Sequence, residues 1–404
     1  MDKLKNPFAP GAGTAPPELV GRSDVLDEAK LTFGRVKLER AARSFLLVGL
    51  RGVGKTVLLN RLQEMAAAEN YKSISIEAPE GRRLPDLLIP KLRQLLLSLD
   101  RMQGVNDKVK RALGVLRSFG SAFKVKYGEV EFGIGVDPEV GTADSGDLEL
   151  DLPELLLTIG EAGKARDIPV AIFIDEMQYL TEQELSAIIL SIHQVSQKRL
   201  PLLLIGAGLP QLVGLVGKSK SYAERLFEFP RIGALKAFDA KNALSIPVQK
   251  EGVSFDSAAL DEIYRLTKGY PYFLQEWGYY TWNIATRSPI TLGVVKSAHA
   301  EVIHRLDENF FRVRFDRLTP REKDYLRAMA ELGPEAHRSG EVADILEVEV
   351  RSVAPLRSGL IKKGMIYSPA HGDTAFTVPL FDEFMKRVIP AMKRSERKRH
   401  VPPE

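Results

Sequence analysis

Apolar runs and amphipathic segments alternate along the first part of the chain. The apolar runs predict strands at Ser44–Gly49, Ser73–Glu77, Pro169–Asp175 and Leu200–Ile205, with a further short strand at Arg231–Leu235. The segments between them predict helices at Lys55–Glu69, Pro85–Leu99, Leu152–Arg166 and Thr181–Lys198. Pro169–Asp175 is nearly all apolar, which is typical of a strand in the middle of a parallel sheet. This alternation predicts an α/β domain with a doubly wound parallel sheet.

Residues 122–151 interrupt the alternation of strands and helices. Phe123, Val125 and Tyr127 alternate with lysines, and the alternation resumes after a glycine, which is typical of a β-hairpin. The following stretch, 137–151, is polar and acidic and is expected to be an exposed loop. The sequence thus predicts an insertion. Whether it serves as an oligomer contact, a docking surface or a DNA-facing element stays open.

The strand pattern is lost after about residue 238, and a different pattern begins near residue 318. Three helices are expected there, starting at Thr319, Ser339 and Val350, and two short strands follow around His371. Three helices followed by a hairpin is the order of a winged-helix domain. The predicted divisions are a flexible leader at 1–17, a sheet domain at 18–237, an all-helical lid domain at 238–316, a winged-helix domain at 317–390 and a basic tail at 391–404.

Composition and charge narrow the classes of function. The chain has 404 residues and no cysteine, which excludes disulfides, thiolate metal sites and cysteine nucleophiles. No apolar run approaches the roughly 18–20 residues of a membrane helix, so a cytoplasmic protein without a membrane contact is expected. The net charge is +4, but residues 351–404 contain 11 Lys and Arg against 5 Asp and Glu. This basic end predicts contact with a polyanion, and a solvated tail is the alternative for residues 393–399.

A phosphate-binding loop is predicted between the first strand and the helix after it. Its string, GLRGVGKT, matches the pattern G-x-x-x-x-G-K-[ST] in full. The backbone N–H groups of such a loop and the N-terminus of the helix surround phosphate oxygens. We expect Lys55 to reach the β- and γ-phosphates and Thr56 to bind Mg²⁺. The residues expected to contact the nucleotide are Gly49, Arg51, Gly52, Val53, Gly54, Lys55, Thr56 and Val57. The pattern predicts binding of ATP with Mg²⁺.

An acidic pair, Asp175 and Glu176, follows the apolar strand that ends at Asp175. Ligands of open α/β sheets bind at the carboxyl ends of the strands, so the pair is expected beside the phosphate loop. Asp175 would hold Mg²⁺, and Glu176 would orient or deprotonate the attacking water. The alternative is that the pair merely caps the helix that begins near Thr181. Together with the phosphate loop, the pair predicts an ATPase.

The segment Glu18–Asp24 contains Val20-Gly21-Arg22 and resembles the box that precedes the phosphate loop in origin-recognition-type AAA+ ATPases and in STAND ATPases. That resemblance implies that Gly21 and Arg22 lie beside the adenine; a polar cap for the first helix is the alternative. In those families the strand corresponding to 202–209 carries a polar sensor-1 residue at its end. This chain has Gly206-Ala207-Gly208 there instead, which predicts slow turnover.

Two further elements resemble parts of the same ATPases. Arg225 occupies a position similar to the arginine finger, which implies that it completes the site of a neighbouring subunit; Arg231 is the reserve candidate, and a surface ion pair is the alternative role for Arg225. Lys268-Gly-Tyr-Pro271 resembles the lid element in which Pro271 contacts the nucleotide. A plain turn between helices is its alternative reading.

The resemblance to winged-helix domains implies that the third helix of the C-terminal module enters the major groove of double-stranded DNA. The candidate contacts are Arg351, Ser352, Arg357, Lys362, Lys363 and His371. Glu347 and Glu349 near the start of that helix would repel phosphates. The leading hypothesis is an ATP-dependent switch that forms a homo-oligomer on DNA. The alternative is a STAND-like regulatory ATPase whose winged helix contacts an unknown effector protein.

Overall fold

The computed structural model describes residues 1–11, 13–100, 106–125, 137–370 and 372–391. The chain forms two compact units. The first, here called the sheet unit, consists of Gly21–Gly49 and Gly54–Gly233. The second, here called the helical unit, consists of Met1–Val20, Leu50–Val53 and Ala234–Glu404. The middle of the predicted phosphate loop therefore groups with the helical unit, whereas both ends of the loop group with the sheet unit.

A parallel β-sheet organises the sheet unit. Its strands are β1 (Ser44–Gly49), β2 (Lys72–Glu77), β3 (Val170–Asp175), β4 (Leu202–Gly208), β5 (Phe227–Glu228) and β6 (Arg231–Ile232). The strand order is β2-β3-β4-β1-β5, β6 also pairs with β1, and all pairings are parallel. Every residue of β1, β3 and β4 is buried, which explains their continuous apolar runs. The predicted α/β fold with a parallel sheet is confirmed.

Helices flank the sheet. They are α1 (Ser23–Lys37), α2 (Lys55–Ala68), α3 (Leu84–Asp100), α4 (Asp107–Ala122), α5 (Leu148–Ala165), α6 (Glu182–Gln197), α7 (Gln211–Ser219) and α8 (Ala223–Leu226). The N-terminus of α6 carries a capping box, in which the Thr181 hydroxyl accepts from the Glu184 backbone and the Glu184 carboxylate accepts from the Thr181 backbone. This cap does not use Asp175 or Glu176, so the capping alternative for the acidic pair is wrong.

The predicted insertion differs from its expectation. Helix α4 extends to Ala122, and Phe123 and Lys124 lie in the turn that ends it. The centre of the Phe123 ring lies 4.6 Å from that of Phe119, one turn earlier on α4, so Phe123 packs against the helix. The predicted hairpin, 122–136, therefore does not begin at residue 122, and its remaining residues, 126–136, lie outside the described part of the chain.

The acidic stretch after the insertion is only partly a loop. Helix α5 begins at Leu148, four residues before the predicted helix start. Asp151 on this helix is buried and accepts hydrogen bonds from Ser145 N and Oγ and from Gly146 N. These carboxylate contacts hold the loop, so its acidity has a structural role that the expectation of an exposed loop missed.

The helical unit begins with residues that the sequence assigned to a flexible leader. Its helices after the sheet unit are α9 (Ala237–Lys250), α10 (Ser257–Thr267), α11 (Pro271–Ile284), α12 (Leu292–Leu306) and α13 (Arg312–Phe315), with a π-helical turn at Asp307–Phe311. Phe8 is buried against Gly278, where an added Cβ would lie 2.7 Å from the Phe8 ring. The Asn6 side chain donates to Tyr279 O at 3.0 Å. The start of the chain is therefore packed on α11 rather than free.

The C-terminal module has the predicted order of three helices and two strands. Its elements are α14 (Pro320–Leu332), β7 (His337–Arg338), α15 (Ser339–Ile345), α16 (Val350–Lys362), β8 (Ile366–Tyr367), β9 (Asp373–Phe376) and α17 (Phe381–Val388). The strands form an antiparallel sheet in the order β7-β9-β8. Strand β7 and helix α17 were not predicted. Phe384 of α17 stacks 5.2 Å from Phe311, so the module packs on the π-helical turn.

Across the described residues, no helix is both long enough and apolar enough to cross a membrane.

Candidate functional site

The phosphate loop joins β1 to α2, as its sequence predicts. Gly52 and Gly54 have positive φ angles of 77° and 91°, which residues other than glycine rarely adopt. Gly54 is the N-cap residue of α2. Lys55 is buried, and its Nζ donates to Gly49 O at 3.0 Å. Val53 is also buried, whereas Val57 is half-buried. The loop therefore presents glycine backbone at the positive end of a helix, which is the arrangement that binds phosphate.

Asp175 ends β3 and lies next to Thr56 at the start of α2. Thr56 Oγ1 donates to Asp175 Oδ2 at 2.6 Å, so the two predicted metal ligands are in direct contact. Asp175 is 8% exposed. Burial raises the pKa of its carboxyl group, and the hydrogen bond from Thr56 opposes that shift. The hydroxyl and carboxylate form a pair of hard oxygen donors that fits Mg²⁺.

Glu176 follows directly and has a left-handed backbone, with φ of 55°. Its N–H donates to Asp175 Oδ1 at 2.8 Å. Its carboxylate accepts a hydrogen bond from Gln178 Nε2. Among the described residues no group of three or more His, Asp or Glu could hold a metal by itself. A Mg²⁺ ion would therefore need oxygens of the substrate and of water besides Thr56 and Asp175, as Mg²⁺ usually does.

Neither glycine at the end of β4 has room for a side chain. A Cβ on Gly206 would lie 2.1 Å from Met177 Sδ and 2.7 Å from Leu46 Cδ2. A Cβ on Gly208 would lie 2.8 Å from Leu212 Cδ2 and 3.0 Å from Gln178 Oε1. The glycines at this position thus reflect close packing of neighbouring side chains against the strand.

Gly21 and Arg22 stand immediately before α1. The Arg22 guanidinium donates to Gly233 O at 2.6 Å, just beyond β6, and Gly21 has a positive φ of 69°. Arg22 therefore ties the segment before α1 to the chain leaving the sheet. A role beside the adenine stays a prediction.

Pro271 is the first residue of α11, and the residues around it contact the phosphate loop within the helical unit. Tyr272 N donates to Gly52 O at 3.3 Å. The Tyr270 ring lies 3.0 Å from the position of a Cβ on Gly52, so only glycine fits this approach. Pro271 thus starts the helix that reaches the loop backbone. Contact of Pro271 with the nucleotide stays a prediction.

Arg51 of the same loop lies close to a second guanidinium. The pKa of Arg314, on α13, is lowered to about 10 by burial and then by repulsion from Arg51. Its guanidinium lies 4.2 Å from the centre of the Phe310 ring. No motif marks Arg314 in the sequence, so its place beside the phosphate loop could not be predicted.

Arg225 lies on the four-residue helix α8 and is exposed. In the alternative role, a surface ion pair, Arg225 would have Glu224 or Glu228 as its partner. Glu228 instead pairs with Arg43 at 2.6 Å, and no ion pair of Arg225 occurs within the described part of the chain. Arg231, the reserve candidate, is exposed on β6.

The six candidate DNA contacts fall into three groups: exposed side chains, side chains bound within the module, and one residue outside the described part of the chain. Arg351, Ser352 and Lys362 are exposed on α16. Arg357 is committed to the module itself, since it donates to Thr374 Oγ1, Ser368 Oγ and Asp373 O at 2.9 Å each. Lys363 pairs with Glu322 at 2.7 Å and donates to Arg317 O. His371 lies outside the described residues.

Arg357 and Lys363 are therefore poor candidates, because both side chains hold the module together. Their spacing along the chain could not reveal this, since their partners are 11 or more residues away in sequence.

Comparisons with known proteins agree with this fold. Residues 18–205 match a family model described as an AAA ATPase domain, and residues 308–385 match one described as a domain of unknown function (DUF8462). No curated protein matches the sequence. The Walker-type ATPase PABY2304 of Pyrococcus abyssi has a similar structure, with a TM-score of 0.59 and 17% identity over 92% of this chain and 97% of that chain.

Two further solved structures have lower scores. ORC1 of Aeropyrum pernix in complex with DNA has a TM-score of 0.44 and 17% identity, covering 93% of this chain and 94% of that chain. The RuvB Holliday junction branch migration motor of Thermotoga maritima has a TM-score of 0.42 and 14% identity, covering 88% and 92%. Scores this low carry no argument about function.

Residues 18–205, which include the phosphate loop and strands β1 to β3, match the family model of an AAA ATPase domain. This part of the chain is an AAA-type P-loop ATPase domain.

Proposed function

We propose that this protein binds and hydrolyses ATP in a Mg²⁺-dependent manner and uses the nucleotide as a conformational switch. The observation that carries the proposal is the 2.6 Å contact between Thr56 Oγ1 and Asp175 Oδ2 at the end of β3. A hydroxyl and a carboxylate from separate segments meet at the carboxyl edge of the sheet, where open α/β sheets bind ligands.

The residues of the sheet unit divide the chemistry among them. Lys55 would leave Gly49 O and donate to phosphate oxygens, which supplies a positive charge where negative charge develops. Thr56 and Asp175 would hold Mg²⁺, which supplies further positive charge at the phosphates. Glu176 would accept a proton from the attacking water, or orient it.

The helical unit would sense the loop through its backbone. Tyr272 N donates to Gly52 O, and the Tyr270 ring packs on the same glycine. A nucleotide that reshapes the loop would change these contacts. Since α11 continues into the rest of the helical unit, this offers a route from the nucleotide to the C-terminal module.

Phosphate release from ATP tests the enzymatic part of this proposal. The wild-type protein should hydrolyse ATP slowly with Mg²⁺ and not with excess EDTA, and Lys55→Ala should abolish turnover. Lys198→Ala removes an exposed lysine from the same unit and should change nothing. Turnover by Lys55→Ala equal to that of the wild type would contradict the assignment.

We also propose that ATP brings copies of this chain together. Arg225 is exposed and makes no ion pair within the described residues, as expected of a side chain that acts on a neighbouring subunit. Size analysis with a non-hydrolysable ATP analogue should show a homo-oligomer that is absent without nucleotide. A monomer under both conditions would contradict this part.

Double-stranded DNA is the proposed partner of the C-terminal module. The module has the helix and strand order of a winged helix, and Arg351, Ser352 and Lys362 are exposed on α16. Fluorescence anisotropy with duplex DNA should show ATP-modulated binding that weakens as salt is raised. Absence of binding at low salt with ATP would contradict the proposal that the module binds DNA.

A second function is favoured by the start of α16. Val348 and Val350 are 43% and 52% exposed and stand beside the acidic Glu347 and Glu349. Apolar and acidic groups there suit a protein contact better than a phosphate backbone. The alternative is therefore a STAND-like regulatory ATPase whose module binds an effector protein, which co-purified ADP in a monomer that ignores DNA would support.

A further inference from the structure

Gln178 lies two residues beyond Glu176 in a short 3₁₀ turn, Met177–Tyr179, and both ends of its side-chain amide are engaged. Its Nε2 donates to Glu176 Oε2. Its Oε1 accepts from Leu209 N at 3.0 Å, just past the end of β4. The side chain is 8% exposed. The amide therefore bridges the carboxylate of Glu176 to the backbone that follows β4.

The orientation of this amide follows from its partners. A backbone N–H can only donate, so the Gln178 atom facing Leu209 N must be the oxygen. The nitrogen then faces Glu176, whose carboxylate can only accept when ionised. With the amide reversed, the Gln178 NH₂ group would face the N–H donor of Leu209, and Oε1 would face the carboxylate oxygen of Glu176. The Nε2–H of Gln178 is thus held toward Glu176.

Packing keeps the bridge in place. Oε1 of Gln178 would lie only 3.0 Å from a Cβ on Gly208, so glycine at that position makes room for the amide. At Gly206 the neighbouring Met177 and Leu46 side chains fill the space that a residue with a Cβ would need. A polar group near Glu176 therefore reaches the end of β4 from the 3₁₀ turn rather than from the strand.

We propose that Gln178 is a positioning residue that fixes the direction of the Glu176 carboxylate and links it to the end of β4. The inference rests on the proposed ATP hydrolysis, in which Glu176 acts on the attacking water. Gln178 does not touch the substrate in this account. Its effect passes through Glu176, and a shift at the end of β4 would turn the carboxylate through the same amide.

Gln178→Glu is the sharpest variant. It keeps the length of the side chain and an oxygen acceptor for Leu209 N, but it replaces the donor facing Glu176 with a second acceptor. The kcat for ATP should fall by about 10–100-fold, since misplacing a group in the reacting geometry costs rates of this order. The KM for ATP and the Kd of a non-hydrolysable analogue should stay within about twofold of wild type. Gln183→Glu, the same chemical change at an exposed position on α6, should leave kcat unchanged.

A double-mutant comparison separates positioning from a merely structural role. In the Glu176→Gln background, the carboxylate that Gln178 directs is gone, so adding Gln178→Glu should change single-turnover hydrolysis by less than about twofold. Gln178→Met keeps the length and removes both polar atoms, and it should also lower kcat in the wild-type background. Gln178→Met replaces Gln178→Glu as the test variant if Gln178→Glu does not fold.

Each outcome decides the inference. A wild-type kcat in Gln178→Glu would overturn it. An equal loss of hydrolysis rate from Gln178→Glu in the wild-type and Glu176→Gln backgrounds would also overturn it. So would a loss of nucleotide affinity large enough to explain the slower hydrolysis. Absence of any turnover in the wild type would remove the proposed function, and this inference with it. Turnover in the wild type with no effect at Gln178 would remove the inference alone.

Discussion

Gly269 is the glycine whose replacement we expect to damage the helical unit most. Its φ is +72°, and a Cβ added there would lie 2.1 Å from the carbonyl oxygen of Leu235 and 3.1 Å from Tyr264 Cε2. The same glycine accepts a hydrogen bond from Leu235 N at 2.8 Å through its own carbonyl oxygen. Gly269→Ala must therefore move backbone as well as side chains. The next residues, Tyr270 and Pro271, lead into the helix that reaches the phosphate loop.

The cost divides into two parts. A left-handed conformation costs an L residue about 1–2 kcal/mol relative to glycine. Forcing the Leu235 carbonyl away adds overpacking of about 1–3 kcal/mol. Gly269→Ala should thus lower the free energy of unfolding of the helical unit by about 2–5 kcal/mol. Gly252→Ala is the matched control, since Gly252 has a φ of +70° and nothing within 4 Å of an added Cβ, so only the first part applies.

Urea denaturation followed by tryptophan fluorescence measures this difference. The chain has two tryptophans, Trp277 and Trp282, and both are buried on α11 of the helical unit. Their emission reports unfolding of the unit in which Gly269 lies. Equal destabilisation by Gly269→Ala and Gly252→Ala would refute the reasoning, because the close approach to Leu235 would then carry no cost.

The remaining predictions in this group concern the site and the C-terminal module. Glu176→Gln should lower kcat by about 10²–10⁴-fold with near wild-type ATP affinity. Glu182→Gln, at the exposed start of α6, should leave kcat unchanged. Equal kcat in the two variants would count against Glu176 as the general base. Arg225→Ala should lower turnover by about 10³-fold, and mixing it with Glu176→Gln should restore activity at shared sites; no recovery on mixing would argue against a finger acting between subunits. Arg351→Ala should weaken DNA binding and reduce the salt slope by about 1 without lowering the melting temperature. Arg357→Ala should lower the melting temperature, because it removes hydrogen bonds to Thr374, Ser368 and Asp373; the reverse pattern would mean that the two arginines have been assigned wrongly.

The sequence predicted the sheet and the phosphate loop well because both depend on local patterns. Strand β1 was bounded correctly by its apolar run and final glycine, and the helix predicted over 181–198 lies within one residue of α6 at each end. The loop motif needs only the eight residues that form it. Such features require no knowledge of what packs against them.

Features that depend on distant partners could not be predicted in this way. The packing of Phe8 on Gly278 joins residues 270 positions apart, so a Pro- and Gly-rich leader looked free. Arg357 looked available for DNA because its partners on the hairpin are not adjacent in sequence. Gln178 carried the one local signal that could have been used, since an amide two residues after Glu176 lies within reach of it.

Binding of ATP with and without Mg²⁺ tests the central claim most directly. Titration calorimetry with a non-hydrolysable ATP analogue should show one site per chain whose affinity falls when EDTA replaces Mg²⁺. Asp175→Asn should remove most of that Mg²⁺ effect, because the ligand that Thr56 contacts at 2.6 Å loses its charge. A Mg²⁺ effect in Asp175→Asn equal to that of the wild type, or no binding by the wild type at all, would contradict the account.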